Sequence, residues 1–251
     1  RKDVKDEESK FSKLFFPSVL GNSTAQIASF IDTSLASFLA AGSVSYLFYA
    51  NRIFQLPFAI IALAITTALF PSIAKAIKNE NHTLAYQNLH KSFWLLSALL
   101  GLSVLGGMLL SEPIIWLLFE RGAFTLQDTL NTADVLRMYM IGLIPFGLAK
   151  LFSLYLYAMH KHVKAAKIAA ASLIVNILFS LILMKPLGAA GLALAGSIGG
   201  AVQMYLTMRE VGWKIVFDIL KSVYTLYFIF GVALFWGGFY SLNQYLVHLI
   251  R

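Results

Sequence analysis

Residues 42–75 read GSVSYLFYANRIFQLPFAIIALAITTALFPSIAK. Only Arg52 and the final Lys75 carry a charge in this stretch, and most of the other positions are apolar. About 20 apolar residues are enough to cross a bilayer, and a backbone inside lipid must satisfy its own hydrogen bonds within a helix. The stretch therefore predicts a transmembrane helix over 44–74.

This predicted helix is too long for one straight crossing. At about 1.5 Å per residue it would extend roughly 46 Å, whereas the hydrocarbon core is about 30 Å thick. Pro57 lies near its middle and lacks the N–H that would bond the carbonyl of Ile53, so it predicts a kink. Pro145 has the same relation to Ile141 in a later apolar segment. We expect Pro57 and Pro145 to act as hinges.

Apolar segments of this kind recur along the chain. Hydrophobic residues make up 59% of the 251 residues and charged residues 13%, with a mean hydropathy of +0.73. A soluble domain carries about 25% charged residues. The composition therefore excludes a soluble fold and predicts an all-α, polytopic transmembrane helix bundle of about seven spans. The predicted spans run over 14–39, 44–74, 89–110, 135–158, 165–184, 188–208 and 222–246.

Lysine and arginine residues concentrate in alternate loops of this arrangement. Fourteen of the 20 fall on one side of the predicted bundle and four on the other, while Arg52 and Lys150 lie inside spans. Cytoplasmic loops are the ones enriched in Lys and Arg, so we expect the N-terminus of the chain in the cytoplasm. Because the net charge of +8 resides mainly in these loops, it does not indicate nucleic-acid binding.

The ends of the chain differ from its apolar middle. The opening RKDVKDEESK is polar and of mixed charge, without the apolar core of a signal peptide, and begins at Arg1. We therefore expect residues upstream in a longer protein. The predicted organisation is a cytoplasmic linker over 1–13, a six-helix bundle over 14–208 and an additional transmembrane helix over 209–251.

Arg52 is the charged residue that packing explains least. An arginine within a span usually faces a cavity or a partner, and its planar fork binds phosphate or carboxylate with two hydrogen bonds. The polar neighbours Tyr46, Tyr49, Asn51 and Gln55 favour an anion-binding site in a water-filled cavity, with Asn51 and Gln55 as further substrate contacts. A structural ion pair, or snorkelling to the outer interface, is the alternative.

Asp32 is the only acid deep inside a predicted span. It could neutralise Arg52, bind a cation or take up a proton, and a plain structural pair with Arg52 is the alternative. Polar residues at helical spacing surround it, which predicts a helix face that lines water or a polar helix contact. The members of this polar face are Asn22, Gln26, Ser29 and Thr33, and we expect Asn22 and Gln26 to line the substrate cavity.

Three further residues are candidates on the inner spans. Lys150 could add a second cation to the cavity, or it could snorkel toward the cytoplasmic end. Asn176 and Ser180 are four residues apart and could join Asp32 as oxygen ligands of a small cation. Interhelical hydrogen bonding is the simpler interpretation of these two side chains.

Other motifs point to structure. Gly196 and Gly200 form a small-xxx-small pair, which predicts close helix packing. Cysteines are absent and the five histidines lie at predicted loops or helix ends, so we expect no metal site. No Ser–His–acid set or useful carboxylate pair occurs, so we expect no catalytic residues. The acids of the predicted outer loop are expected to be solvated: Glu112, Glu120, Asp128 and Asp134.

The motifs resemble those of one known family. Residues 42–75, with Tyr-Ala-x-Arg and two proline-containing turns, look like the seventh-to-eighth helix region of the MurJ (MviN) family of bacterial lipid II flippases. LLFERGAFTLQDT (117–129) and FFPSVLGNSTAQIASFIDTSLASFLA (15–40) resemble two more of its motifs, and Lys150 with Tyr157-Ala158 a fourth. The resemblance covers essentially the whole chain.

The resemblance implies a fold and a function. The family belongs to the multidrug/oligosaccharidyl-lipid/polysaccharide exporter superfamily, whose members have two six-helix lobes. This chain resembles the second lobe of a two-lobed MurJ/MATE-like transporter plus one extra helix, so the N-terminal lobe would be a partner. The family moves undecaprenyl-pyrophosphate-linked disaccharide-pentapeptide to the periplasmic leaflet of the bacterial inner membrane by alternating access. This chain is therefore expected to be part of a transporter in peptidoglycan biosynthesis and not an enzyme. Its expected partners are lipid II and membrane lipids.

The resemblance also assigns residues. Arg52 corresponds to a cavity arginine thought to meet the pyrophosphate. Asp32 with Asn176 would be the position for coupling to a monovalent cation or to the membrane potential, and no other cofactor is implied. The loop MHKHVKAAKI (159–168) lacks the acid and the Thr-Pro usual in the family, and Gly196 replaces a frequent hydroxyl.

Two other functions remain open from the sequence. One is export of another polyprenyl-linked oligosaccharide or a drug within the same superfamily, against which the RGAFT segment argues. The other is a non-transporting membrane scaffold, against which the retention of Arg52, Asp32 and Lys150 argues.

Overall fold

The computed structural model describes residues 26–250, with side chains from 26 to 247. We number ten α-helices in this part, and a π-helical segment, Phe58–Leu63, joins α2 to α3. They are α1 (26–36), α2 (Ser43–Pro57), α3 (Ala64–Lys78), α4 (His82–Leu109), α5 (Ser111–Phe119), α6 (Leu126–Ile141), α7 (Leu143–Ala158), α8 (His162–Val211), α9 (Trp213–Leu220) and α10 (Tyr224–Ile250).

The predicted all-α transmembrane bundle is confirmed, and residues 26–250 contain no strand. Within the described residues, five stretches are long and apolar enough to cross a membrane: Ser43–Lys78, His82–Leu109, Leu126–Ala158, His162–Val211 and Tyr224–Val247. The stretch His162–Val211 contains two predicted spans, 165–184 and 188–208. The predicted linker 1–13 and the first part of the span 14–39 lie outside the described residues.

Helix α8 folds back on itself at Gly188. This residue has φ 59° and ψ −136°, a backbone conformation that residues with a Cβ rarely adopt. Pro186, which cannot continue a regular helix, precedes it by two positions. The two halves then run side by side, because the Ser172 hydroxyl donates to the carbonyl of Gly199 at 2.7 Å and Lys164 pairs with Glu210. The α8 hairpin therefore supplies two crossings, as the sequence predicted.

The loops rich in Lys and Arg lie at a common end of the bundle. The rings of His90 and Tyr224 are 5.7 Å apart, which joins the start of α4 to the start of α10. Lys161 and Lys164 both reach Glu210, which joins the α7–α8 loop to the end of α8. This end, which we call the basic end, brings together loops that the alternating charge pattern assigned to one side.

Helix α7 lies at the centre of the core. It packs against α3, α4 and α8, and its Phe152, Leu151 and Leu156 side chains are fully or almost fully buried. Burying a large apolar side chain contributes about 1.5–3 kcal/mol when the reference is water. In lipid, van der Waals packing and hydrogen bonds hold helices together. The close packing of these α7 side chains therefore fixes the positions of the surrounding helices.

The interpretation of the outer acids as a solvated loop is wrong for the buried Glu112, whereas Asp134 is exposed as predicted. Glu112 is buried in the short helix α5, which the sequence did not predict. Glu120 accepts a hydrogen bond from the Thr129 hydroxyl at 2.5 Å, and Asp128 caps α6 together with Thr125. Asp134 lies on α6, where it pairs with Arg137 at 2.6 Å. These acids stabilise the outer end of the bundle instead of facing water alone.

Helix packing at the glycines differs in part from the prediction. A Cβ on Gly200 would lie 3.0 Å from the Phe146 ring, so close packing there is confirmed. A Cβ on Gly196 would meet nothing within 4 Å, so the prediction of close packing is wrong for that residue. A contact that the sequence did not indicate is closer still, because a Cβ on Gly142 would lie 2.9 Å from the Ser197 Cα.

These contacts predict opposite outcomes for two alanine substitutions. Gly142→Ala should destabilise the protein by about 1–3 kcal/mol, because the backbone of Ser197 must move to admit the methyl group. Gly196→Ala is the matched control and should be neutral or slightly stabilising, because alanine favours helix by about 1 kcal/mol over glycine. Thermal unfolding of the full-length protein in detergent measures both. Equal melting temperatures for the two variants would contradict this packing.

Candidate functional site

Helix α2 has one face in the core and the opposite face exposed. Leu47, Ala50 and Phe54 are buried, whereas Arg52 and Gln55 are exposed on the other side of the helix. The spacing of the buried residues, three and four apart, is that of a helix with a single packed stripe. The fold therefore presents Arg52 and Gln55 outward from this bundle instead of enclosing them.

Arg52 makes no ion pair with any residue from 26 to 250. The ion pairs in that part of the chain join Arg137 to Asp134, and Lys161 and Lys164 to Glu210. The alternative of a structural Asp32–Arg52 pair is therefore not formed. The Arg52 guanidinium instead lies 4.7 Å from the centre of the Phe48 ring, a cation–π contact that leaves its edge available for hydrogen bonds.

A backbone irregularity follows Pro57 and begins six residues after Arg52. Pro57 is the last residue of α2, and the π-helical segment follows immediately at Phe58–Leu63. The distortion thus lies one turn later than the predicted kink at Ile53–Pro57. A π-helical turn has one extra residue, which lets the chain accommodate the hydrogen bond that proline cannot make.

Pro145 lies beside a second interruption. Helix α6 ends at Ile141 and α7 begins at Leu143, so Pro145 occupies the first turn of α7, where its missing N–H costs little. The close Gly142–Ser197 contact is at the same point. Whether Pro57 and Pro145 act as hinges remains a prediction.

Asp32, Asn176 and Ser180 form a compact polar cluster between α1 and the first half of α8. Their exposed fractions are 8%, 6% and 0%. The Ser180 hydroxyl oxygen is 3.0 Å from Asp32 Oδ1 and 3.2 Å from Asn176 Oδ1. One hydroxyl proton can serve only one of these oxygens at a time. The Asn176 side chain also hydrogen-bonds to Asp32, so the cluster satisfies part of its own hydrogen bonding. Its carboxylate, amide and hydroxyl oxygens are ligands that suit a hard cation.

Tyr139 is a neighbour of this cluster that sequence reasoning missed. It is a buried residue of α6 whose hydroxyl interacts with the Asn51 side chain and lies within electrostatic range of Asp32. Asn51 Oδ1 is buried and has no hydrogen-bond partner within the described residues. Tyr139 thus joins α6 to α2, one residue away from Arg52. The available signal was a tyrosine near the start of the predicted apolar span 135–158.

The remaining predicted residues are more dispersed. Lys150 is half-buried on α7, and it forms no ion pair in the part of the chain that the structure describes. Gln26 is exposed at the start of the described part of α1. Asn22 lies outside the described residues. The fold brings together the three predicted cation ligands, whereas the substrate residues do not converge within this bundle alone.

Comparisons with known proteins agree on one family. A family model described as "Lipid II flippase MurJ" matches residues 1–250. A "Probable lipid II flippase MurJ" of Helicobacter pylori (strain J99) is 54% identical over 223 residues, covering 89% of this chain and 48% of that protein. A protein of the same description from Rhizobium meliloti is 34% identical over 203 residues, covering 80% and 37%. The chain thus spans about half the length of these curated relatives.

Solved structures share the fold. One described as "Lipid II flippase MurJ, inward closed conformation" is 28% identical, with a TM-score of 0.73, and the match covers 98% of this chain and 56% of that one. An outward-facing multidrug resistance MATE family transporter of the MOP superfamily has a TM-score of 0.70 over 84% of this chain and 50% of that one. Its 17% identity shows a common fold alone.

Proposed function

The chain belongs to the lipid II flippase MurJ family, and we propose on that basis that it forms the C-terminal half of a lipid II flippase. The proposed cargo is the undecaprenyl-pyrophosphate-linked peptidoglycan precursor. It moves from the cytoplasmic to the periplasmic leaflet of the bacterial inner membrane. The proposed organisation is one six-helix lobe, one additional helix and an N-terminal lobe supplied by other residues.

The observation that carries this proposal is the state of Arg52. It is an exposed guanidinium and the only charged group of the membrane helix α2, and no acid within residues 26–250 neutralises it. A charge inside a span is costly unless it meets water or a partner. A pyrophosphate offers the oxygen pairs that a guanidinium binds with two hydrogen bonds. Each charge then replaces part of the hydration that the other loses.

The other polar residues would complete the cavity. Gln55 lies on the same exposed face of α2 as Arg52, and Asn51 and Gln26 can donate hydrogen bonds to the headgroup. Lys150 would add positive charge for a multiply charged anion, and Asn22 would extend the polar face of α1. The lipid tail would remain in the bilayer beside the protein. No bond is made or broken, so the proposal assigns no catalytic residue.

Alternating access would use the interruptions of the helices. Pro57 with the π-helical segment, and Pro145 with the break at Gly142, are places where backbone hydrogen bonds are already rearranged. Bending there costs fewer intact hydrogen bonds than bending a regular helix. The two lobes would then rock about a headgroup held near the middle of the bilayer. In this orientation the basic end lies in the cytoplasm.

The substitution of Arg52 tests the proposal. Arg52→Ala and Arg52→Lys in the full-length protein should each fail to rescue cells depleted of their own lipid II flippase, although both proteins reach the membrane at normal levels. Lysine keeps the charge but loses the two-pronged hydrogen bonding. Arg209→Ala is the matched control, because this exposed arginine lies at the basic end of α8, and it should rescue growth.

Full rescue by Arg52→Ala would overturn the pyrophosphate contact. Export of a different polyprenyl-linked sugar or of a drug is the other outcome to separate. If wild-type protein fails to rescue while it is made at normal levels, the cargo is not lipid II. A scaffold without transport would give the same failure and would also move no labelled lipid in vesicles.

Coupling is proposed at Asp32, Asn176 and Ser180, with a monovalent cation as the ligand. Sodium should raise the melting temperature of the full-length protein in detergent relative to choline, because a ligand that binds only the folded state stabilises it by about 2.7 kcal/mol at a hundred times its Kd. Asp32→Asn should abolish this sodium effect, while Asp134→Asn, a surface control on α6, should keep it. Equal stabilisation of wild type and Asp32→Asn would argue for coupling to the membrane potential alone.

A further inference from the structure

A cleft of about 530 Å³ opens at the outer end of the bundle, away from the basic end. It lies between the start of α2, the end of α5 and the loop that leads to α6. Its size falls within the range of about 300–1,000 Å³ that is usual for small-molecule sites. The side chains that matter for its chemistry are Tyr46, Tyr49, Phe119, Arg121, Phe124 and Asp128.

One side of the cleft is an aromatic wall. The ring centre of Tyr49 is 4.7 Å from that of Phe119 and 5.6 Å from that of Phe124, with interplanar angles of 39° and 83°. These three rings come from α2, from α5 and from the loop, so the wall exists only in the folded bundle. Aromatic rings provide rigid, flat apolar surfaces on which another ring can lie.

The polar part of the lining is electrically balanced. The Tyr46 hydroxyl donates to Asp128 Oδ1 at 2.7 Å, and Asp128 Oδ2 accepts from the Thr125 N–H at 2.8 Å. Arg121 donates from one terminal nitrogen to the carbonyls of Leu117 and Leu118, which leaves its other N–H groups for a ligand. One cation and one anion line the cleft, so it favours a neutral, hydroxyl-bearing ligand over a phosphate.

The cleft and Arg52 share helix α2, although Arg52 is not among the residues that line the cleft. Tyr49 precedes Arg52 by three residues, which is about 4.5 Å along the axis of α2. The Phe48 ring contacts Tyr49 edge-on at 5.7 Å and also lies under the Arg52 guanidinium. A headgroup whose pyrophosphate meets Arg52 would therefore bring the ring bonded to that phosphate within reach of the aromatic wall.

We propose that this outer cleft is a carbohydrate subsite that binds a sugar ring of the carried headgroup by stacking on Phe124, Phe119 and Tyr49 and by hydrogen bonds to Arg121 and Asp128. The subsite rests on the proposed function, because it deepens the same transport path. It would hold the headgroup at the outer end before release. Its ligand is neutral and ring-shaped, whereas the ligand of Arg52 is an anion, so the two contacts can be tested separately.

Saturation-transfer NMR on the full-length protein in detergent tests the subsite, with N,N'-diacetylchitobiose as the probe. Wild-type protein should transfer saturation to the sugar-ring protons, and Phe124→Ala should raise the dissociation constant about tenfold or abolish the signal. Phe235→Ala is the matched control, because it removes an exposed ring from α10, and it should bind like wild type. Arg121→Gln changes an exposed side chain and should therefore fold. It should also weaken binding of the disaccharide, and its dissociation constant tests the subsite if Phe124→Ala does not fold.

Absence of any signal with wild-type protein, or unchanged binding by both Phe124→Ala and Arg121→Gln, would overturn the subsite. The rescue experiment with Arg52 reports on the anion contact and does not depend on this result. If Arg52→Ala fails to rescue and the cleft binds no disaccharide, the flippase proposal stands and the subsite falls. If wild type binds the disaccharide but cannot rescue, the transport proposal fails.

Discussion

An unneutralised guanidinium inside a membrane helix is the constraint on which the rest of this bundle depends. On insertion scales an arginine at the centre of a span costs about 2.5–3.5 kcal/mol, and Arg52 has no acidic partner within residues 26–250 to offset that cost. Its contact with the Phe48 ring compensates for part of it. The remainder requires water or an anion on the exposed face of α2. The other face of α2, with Leu47 and Phe54, is committed to the core, so the helix cannot rotate to hide the charge.

The bundle holds this helix in place while leaving its path adjustable. Helix α7 is packed on several sides and provides the fixed centre. Around it the chain departs from regular α-helix at the π-helical segment, at Gly142 and at Gly188. The Asp32 cluster joins α1 to α8. A separate contact between Tyr139 and Asn51 joins α6 to α2.

Hydropathy and proline positions were sufficient to predict the long apolar helices after residue 43 and the division of α8 into two halves, because each is a local property of the chain. The short helices α5 and α9 escaped prediction, since neither is long enough to cross lipid. The meeting of Asp32 with Ser180, 148 residues apart, was anticipated only as a possible shared site, because helix neighbours are set by packing. The same reason explains the errors. Gly196 faces open space, and Glu120 and Asp128 find partners in Thr129 and Tyr46, to which no helix spacing rule connects them.

The most direct test of the Arg52 contact is a comparison of lipid affinities by native mass spectrometry on the full-length protein. Lipid II would be compared with the polyprenyl alcohol that lacks the pyrophosphate and the sugars, for wild type and for Arg52→Lys. A two-pronged guanidinium–pyrophosphate contact predicts that wild type prefers lipid II by at least about tenfold and that Arg52→Lys loses most of this preference while it binds the alcohol equally well. An undiminished preference for lipid II in Arg52→Lys would contradict the central role of Arg52.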